Sequence, residues 1–448
     1  IDVYPKDIPI VITLGYYGSH VKDYVTLAHP DRDISFVTVD KYKGPGTSLA
    51  YSILQARDEL QCPFIFHACD TISKDKFPIY DHSNWLVGSS LDNSSQYRTL
   101  MVEDGKVIKI NEKGSLSFDH SYIGLCKIHD YENFWDEMKN LDFSDTSLSD
   151  CHIINNMIKN KNCEFNLCKT DQWIDIGNSQ ALKKARNLLK SDYDVLDKLD
   201  ESIFFLEDKV VKFFHDDVIC KNRVTRAHNL KGLAPEISDS TDNFYVYSLV
   251  PGDLFSKTAN RANFMNFLHW SKENLWIPTN IDPDKFKQMC EKFYFDKTIS
   301  RVEKYLKLMD YTDQPCYING EMVPSISTMM QEIDKDWLCS GKPVKFHGDF
   351  ILDNIIESKS GFCLIDWRQD FGGDLESGDI YYDLAKLNHN LTLNHDIIKR
   401  GMFDVNTKGD TTSCEIMCSS RLIKCQDMLH KFIIDNDLDL KKVKILTS

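Results

Sequence analysis

The 448-residue chain sets 53 Lys and Arg against 68 Asp and Glu, a formal net charge of −15. That balance excludes a general nucleic-acid-binding surface, which needs cations to displace counterions from phosphates. With 42% hydrophobic and 11% aromatic residues the chain is globular, and it is long enough for two or three domains with separate cores. No apolar run approaches the roughly 18 residues that would cross a bilayer, and no signal peptide opens the sequence. The fourteen cysteines form no Cys-x-x-Cys pair, so zinc spacing is missing and reduced thiols in a cytosol are expected. Cys414, Cys418 and Cys425 lie at helical spacing and predict one buried helix face.

The first strands read from the pattern are Ile8-Pro-Ile-Val-Ile-Thr-Leu14, Ile34-Ser-Phe-Val-Thr-Val39 and Phe64-Ile-Phe-His67. A helical stretch from Ser48 to Leu60 separates the second from the third. This alternation predicts a largely parallel α/β sheet with ligands at the strand ends. Gly44-Pro-Gly46-Thr47-Ser48 leads into the helix, where glycines and helix N-terminal amides can approach a nucleotide. Phe64-Ile-Phe-His-Ala-Cys-Asp70 is an apolar strand ending in a carboxylate. Ile110-Asn-Glu112-Lys113-Gly and Ser121-Tyr-Ile-Gly124-Leu follow, then Trp173-Ile-Asp175-Ile-Gly177 ahead of another helix.

In this order the segments resemble the sugar-phosphate nucleotidylyltransferases. The resemblance implies a Rossmann-like nucleotidyltransferase domain over 1–190, with Mg²⁺ held between Asp70 and Asp175. It also implies a catalytic Lys113 on the phosphorylated substrate and Gly44, Gly46 and Thr47 at the nucleotide, CTP or UTP. The family's Gly-rich signature with its Arg normally precedes the helix and strand matched here by Ile8 to Leu14. It is absent, so either the sequence begins after it or the domain has lost it. Ala68-Cys69-Asp70 also replaces the usual Gly-Asp strand ending.

A charged connector is expected over 191–201. Ile203-Phe-Phe-Leu206 and Lys209-Val-Val-Lys-Phe-Phe214 read as a hairpin turning at Glu207-Asp208. A helix is expected from Asn222 to Leu230, a strand over Phe244-Tyr-Val-Tyr-Ser248, and mostly helix beyond residue 260. Then comes Lys345-Phe-His347-Gly-Asp349-Phe-Ile-Leu-Asp-Asn354, with Leu364-Ile-Asp366-Trp367 after it. Within about 20 residues the chain offers a carboxylate for a hydroxyl proton (Asp349) and two oxygen donors for Mg²⁺ on ATP phosphates (Asn354 and Asp366). Gly378-Asp379-Ile-Tyr-Tyr-Asp383 lies downstream.

His-x-Asp-x4-Asn, an apolar strand ending in Asp, and that downstream segment together resemble the aminoglycoside phosphotransferase and choline kinase family. The resemblance implies a two-lobed protein-kinase-like α+β domain, with an N-lobe over 202–255 and a C-lobe over 256–448. Lys212, or failing it Lys209, would hold the ATP phosphates. The helix after it contains no carboxylate to pair with that lysine; Glu236 is the nearest downstream. Ser248 to Val250 would meet adenine through the backbone. His347 and Asp383 would support the loop, and Asp379 would anchor the loop or cap the helix beginning near Tyr381.

Two functions follow. One is a cytoplasmic bifunctional enzyme that phosphorylates a small alcohol, sugar or amino alcohol with ATP and Mg²⁺, then couples the product to a nucleotide with release of pyrophosphate, feeding cell-surface polysaccharide (capsule) or lipid precursors. The other is a kinase whose first domain only binds ligand or organises a complex. A choline-type acceptor would want aromatic walls, for which Trp270, Trp276, Trp337 and Trp367 are available.

Overall fold

The β-branched runs Ile10–Leu14 (β1) and Ile34–Thr38 (β2) pair in parallel, because the helix Gly18–Ala28 (α1) carries the chain back between them. The computed structural model describes residues 1–90, 94–189 and 198–447. It divides into two units, Ile1–Val195 and Leu196–Ser448. Of the expected connector, residues 191–197 lie outside the described residues.

In the first unit Ser48 caps the helix Leu49–Gln55 (α2), its hydroxyl accepting the Tyr51 N–H at 3.0 Å. The helix expected to reach Leu60 gives way to a 3₁₀ turn over Arg57–Glu59. Next come Phe64–His67 (β3), Thr71–Ser73 (β4), Asn84–Ser89 (β5), Thr99–Glu103 (β6), Lys106–Asn111 (β7) and His120–Ile128 (β8). The helices Tyr131–Met138 (α3) and Asp150–Lys161 (α4) lead to Phe165–Thr170 (β9), Trp173–Asp175 (β10) and the helix Ser179–Leu188 (α5).

Six of these strands form a sheet in the order β3-β8-β5-β9-β7-β6. Its pairing corrects the expectation of a largely parallel sheet. Among the described residues only β5–β9 is parallel within it. After β3 the chain advances by loops and hairpins, which make antiparallel neighbours. Helices intervene only between β8 and β9, the kind of connection a parallel pair requires. The class is mixed α/β. β5 is buried along its whole length: Leu86 packs with Phe134, Trp135 and Met157 on the helical side, Trp85 and Val87 with Ile123 and Leu125 on the other. Each such side chain contributes about 2 kcal/mol of transfer free energy.

The second unit opens with Glu201–Phe205 (β11) and Lys209–Phe214 (β12), joined at Glu207-Asp208 by a turn in which the Leu206 N–H reaches the Lys209 carbonyl at 2.9 Å. The helix Asp217–Asn229 (α6) starts a turn and a half earlier than expected, where Asp216 caps it through the Val218 N–H at 2.9 Å. Ile237–Ser240 (β13) and Phe244–Ser248 (β14) complete an antiparallel sheet of order β11-β12-β14-β13. Val210, Phe214, Tyr245 and Tyr247 pack with Cys220 of α6, and strand alternation puts Lys212 on that same face. Beyond lies a helical core in which Phe264, Phe267 and Trp276 pack with Phe350, Leu352, Trp367, Leu384 and Leu429. Trp276 and Trp367 are core residues; Trp270 and Trp337 are partly buried.

The mostly helical reading past residue 260 missed a four-stranded sheet. It orders Glu321–Val323, Cys316–Ile318, Thr411–Ile416 and Phe403–Lys408. The helical reading of the three cysteines is therefore corrected. Cys414 sits in a strand, because Thr411-Thr-Ser-Cys-Glu-Ile416 alternates in β fashion after the Gly409 turn, and only Cys425 is on a buried helix. All fourteen cysteines are free thiols. Among the described residues no helix is long and apolar enough to cross a membrane.

Candidate active sites

In the first unit the ladder between β4 and β10 sets Asp175 opposite Thr71, and the Ile176 N–H donates to the Asp70 carbonyl at 2.9 Å. Two carboxylates 105 positions apart are thereby brought side by side. Asp70 Oδ2 and Asp175 Oδ1 each lie 3.1 Å from the point where a Gly177 side chain would begin, so they are at most twice that, about 6.2 Å, apart. The Gly177 N–H donates to Asp175 Oδ1 at 2.8 Å, and the Tyr97 hydroxyl donates to Asp175 Oδ2 at 2.8 Å. Burial, reinforced by Asp175, pushes the Tyr97 phenol up to about 12, so it remains a donor. Two hard oxygen donors around a space that any Cβ would invade fit a Mg²⁺ ion.

Lys113 is exposed in the turn after β7. The register Thr99↔Asn111 and the Arg98–Glu112 ion pair at 3.0 Å set it at the end of the β6–β7 hairpin that carries Tyr97. Gly44 and Gly46 both adopt φ of +84°, and the Thr47 hydroxyl is spent on the Gly44 carbonyl at 2.8 Å. No bond joins this turn to Asp70 or Asp175 among the described residues. A cavity of about 370 Å³ lined by His82, Asn84, His129 and Asp130 opens at the start of β5 and β9, the edge opposite Asp70.

In the second unit the loop 345–354 is pinned from behind. Asp383 accepts the His347 N–H at 2.9 Å, the Gly348 N–H at 2.7 Å and the Trp276 indole N–H at 3.2 Å. Gly348 has φ +86°, and a Cβ there would meet that of Arg368 at 2.7 Å, so only glycine fits. His347 Nε2 faces the Ile365 carbonyl at 3.0 Å, while Nδ1 accepts the Asp349 N–H at 3.2 Å. Burial drives the imidazole down to about 4, so it stays neutral. The Asn354 amide nitrogen donates to the Asp349 carbonyl at 2.9 Å and to its Oδ2 at 3.1 Å, which turns the amide oxygen away from that carboxylate. Lys386 Nζ binds Asp349 Oδ1 at 2.9 Å.

Asp366 takes φ of +58°. It is paired with Lys212 Nζ at 2.9 Å and with Arg223 of α6, which also lies 3.7 Å from Glu201. Burial opposes ionisation of Asp366, but Lys212 and Arg223 outweigh it and hold the carboxyl well below the usual range. The partner of Lys212 is thus the strand-end aspartate, and α6 contributes an arginine where a carboxylate had been sought. Asp366 and the Asn354 amide oxygen are hard donors that suit Mg²⁺.

Of the two placements left open for it, Asp379 takes the helix cap, and its other bonds fall outside the loop 345–354. It caps the helix Ile380–Thr392 through the Tyr381 N–H at 3.2 Å and accepts from the Lys342 N–H at 3.0 Å and the Tyr294 hydroxyl at 2.8 Å. Leu249, between Ser248 and Val250, donates its N–H to the Asp208 carbonyl at 2.9 Å, and Ser248 pairs with Lys209 at the end of the ladder.

Sequence reasoning missed Tyr97, Arg223, Arg226 and Lys386. A helix without mid-helix acids that bears arginines at i and i+3 was a usable signal for the two arginines. Nothing local marks the other two.

No family model matches the chain, and no curated protein does. Solved structures of similar shape include a putative glucose-1-phosphate thymidylyltransferase from Bacillus anthracis, 17% identical, aligned over 42% of this chain and 78% of that one with a TM-score of 0.35. Another is the inositol-1-phosphate CTP transferase from T. maritima, at 14%, 40%, 74% and 0.34 respectively. A third is the CTP:phosphocholine cytidylyltransferase of Streptococcus pneumoniae, at 18%, 41%, 80% and 0.34. Likeness at this level assigns no activity to this chain.

Proposed function

We propose that the chain is a bifunctional transferase, whose second unit phosphorylates a small alcohol with ATP and whose first unit couples the phosphorylated product to a nucleotide. The observation that carries the kinase half is the assembly of Lys212–Asp366 and Asn354–Asp349 around a loop fixed by Asp383. Asp349 receives the acceptor hydroxyl and its proton, while Lys386 and Asn354 hold the carboxylate in one rotamer. Lys212 and Arg223 present positive charge beside Asp366, where the ATP phosphates would lie. Bound Mg²⁺ at Asp366 and Asn354 would neutralise charge on those phosphates. The family's kinase-like fold and the adenine contacts at Ser248 and Val250 belong to this reading.

The paired Asp70 and Asp175 support the nucleotidyl half. Their like charges repel unless a cation intervenes, and attack on an α-phosphate needs such a cation to bring two anions together. Lys113 would receive the substrate phosphate, and Gly44, Gly46 and Thr47 would approach the nucleotide, CTP or UTP.

The test is mass spectrometry of alcohols, sugars and amino alcohols incubated with the full chain, Mg²⁺ and ATP, then with CTP or UTP. Asp349→Asn is expected to lower phosphorylation by about 100-fold or more, as loss of a positioned base does. A variant that keeps more than about a tenth of the turnover removes Asp349 from the mechanism. Phosphorylation without any pyrophosphate release would leave the first unit as a ligand-binding module.

A further inference from the structure

Beside Asp349 the second unit gathers cations that form no direct ion pair with a carboxylate among the described residues. Arg368 packs its stem against Gly348, the residue before the candidate base, where a Gly348 Cβ would meet Arg368 Cβ at 2.7 Å and Cδ at 3.2 Å. Its guanidinium carbon stands 4.9 Å from the centroid of the Phe293 ring, and Lys297 Nζ stands 4.1 Å from the same centroid. Tyr382 meets Phe293 edge-on at 4.8 Å and lies one helical turn before Lys386, the partner of Asp349. Arg301 follows Lys297 by one turn on the helix Lys297–Met309. Phe293 itself belongs to a π-helical turn, Lys292–Asp296, a distortion that often marks functional sites.

None of Lys297, Arg301 and Arg368 has a carboxylate within 4.0 Å among the described residues. Asp370, two residues after Arg368, accepts the Gly373 N–H at 3.1 Å, and Asp366, two before it, is paired with Lys212 and Arg223. Arg368 Nε is buried without a hydrogen-bond partner. Burial first, then repulsion from Arg368 and Arg301, lowers Lys297 to about 7, and attraction to Asp370 offsets only part of this. Like charges are held together around one aromatic ring, and one donor is unsatisfied. That arrangement costs free energy unless an anion joins it.

We infer that the acceptor phosphorylated at Asp349 carries an anionic oxyacid group, a carboxylate or a phosphate, bound by Lys297, Arg368 and Arg301 beside the hydroxyl that reacts. This rests on the phosphotransferase reading and fixes its substrate class. The acceptor O–H gives its proton to Asp349, its oxygen forms the new P–O bond, and ADP leaves with the electrons of the broken one. A quaternary ammonium acceptor would meet repulsion, and a neutral polyol would leave the cations uncompensated.

The experiment compares D-glycerate and sn-glycerol 3-phosphate with glycerol and choline as acceptors for the full chain with Mg²⁺ and ATP. One of the anionic acceptors is expected to exceed both others in kcat/KM by about 100-fold, the discrimination that unpaired buried polar groups impose. Lys297→Met and the exposed Arg301→Gln should each raise KM for it about 10-fold, and Lys297→Arg should restore most of the loss. Preference between glycerate and glycerol phosphate tells carboxylate from phosphate. Preferred transfer to glycerol or choline overturns the inference and leaves the phosphotransferase reading standing. Transfer to none of the four overturns the inference, while the phosphotransferase reading falls only if the wider screen of alcohols, sugars and amino alcohols also shows no transfer. Should Lys297→Met not fold, Arg301→Gln decides: an unchanged KM for the anionic acceptor overturns the inference.

Discussion

His347 is fully buried, with one ring nitrogen on the Ile365 carbonyl and the other on the Asp349 N–H. With both nitrogens engaged, it holds the Asp349 backbone through one of them. Its folded pKa, about 4, lies below the ordinary 6.5, so between those values the unfolded chain binds the proton that the folded chain refuses. Stability is therefore lost as pH falls through that window, about 2 kcal/mol by pH 5. Asp379 and Asp383 work in the opposite sense. Burial raises both to about 6, so the folded unit regains stability as they protonate below that value. The wild type mixes these effects, and His347→Gln isolates one of them. Urea unfolding at pH 7.5 and pH 5 should show the wild-type advantage over the variant shrinking by about 2 kcal/mol, and a gap independent of pH would refute the assignment. At Gly177, a single methyl enters the space between Asp70 and Asp175. Gly177→Ala should leave the melting temperature near wild type, since the site is exposed, while Mg²⁺-dependent pyrophosphate release falls by about 10-fold or more. Equal release in variant and parent would mean that no metal uses that space.

Helix α6 is tied to the loop 345–354 by one side chain. Arg226, 1% exposed, donates to the carbonyls of Phe346, His347, Arg368 and Leu375 and stacks over the Phe346 ring at 3.8 Å. Burial lowers it to about 9, which leaves it cationic at neutral pH. Arg226→Met would orphan those carbonyls and should cost about 3 kcal/mol, with Arg226→Lys recovering only part, because an ammonium cannot reproduce the planar fork. Chemical denaturation of the two variants checks this; equal stability of Met and Lys would place the effect in packing alone. The elements legible in the sequence were those written by short-range rules. The hairpin at Glu207-Asp208 follows from turn chemistry, and the loop from Lys345 to Asn354 from fixed spacing. Strand direction was not legible: β5 and β9 are separated by 75 residues, and no local pattern says whom a strand will pair with. The sheet containing Cys414 escaped for the same reason, being built from segments near 317 and 412. Lys386 and Tyr97 meet Asp349 and Asp175 only through the fold, so periodicity could not name them.

At the scale of the whole chain, each unit buries its own core: Leu86, Phe134, Trp135 and Phe165 in the first, Phe264, Phe267, Trp367 and Leu384 in the second. The two candidate sites draw on residues of one unit each, Asp70, Tyr97 and Asp175 against Lys212, Asp349, Asp366 and Lys386. Each site is built on the core of its own unit, so substitutions should act independently. Asp175→Asn removes one of two anionic oxygens at the metal site and should lower nucleotidyl transfer by about 100-fold while leaving ATP-dependent phosphorylation within about two-fold of wild type. Asp366→Ala should do the reverse. It also strands Lys212 as an uncompensated buried cation and leaves Arg223 with Glu201 alone, so Mg²⁺-dependent ATP affinity and turnover should fall together. Phosphorylation followed by ADP release, and coupling followed by pyrophosphate release, separate the two readouts in one preparation. Loss of both activities in either variant would show that the steps share a site, and the division of labour between the units would have to be abandoned.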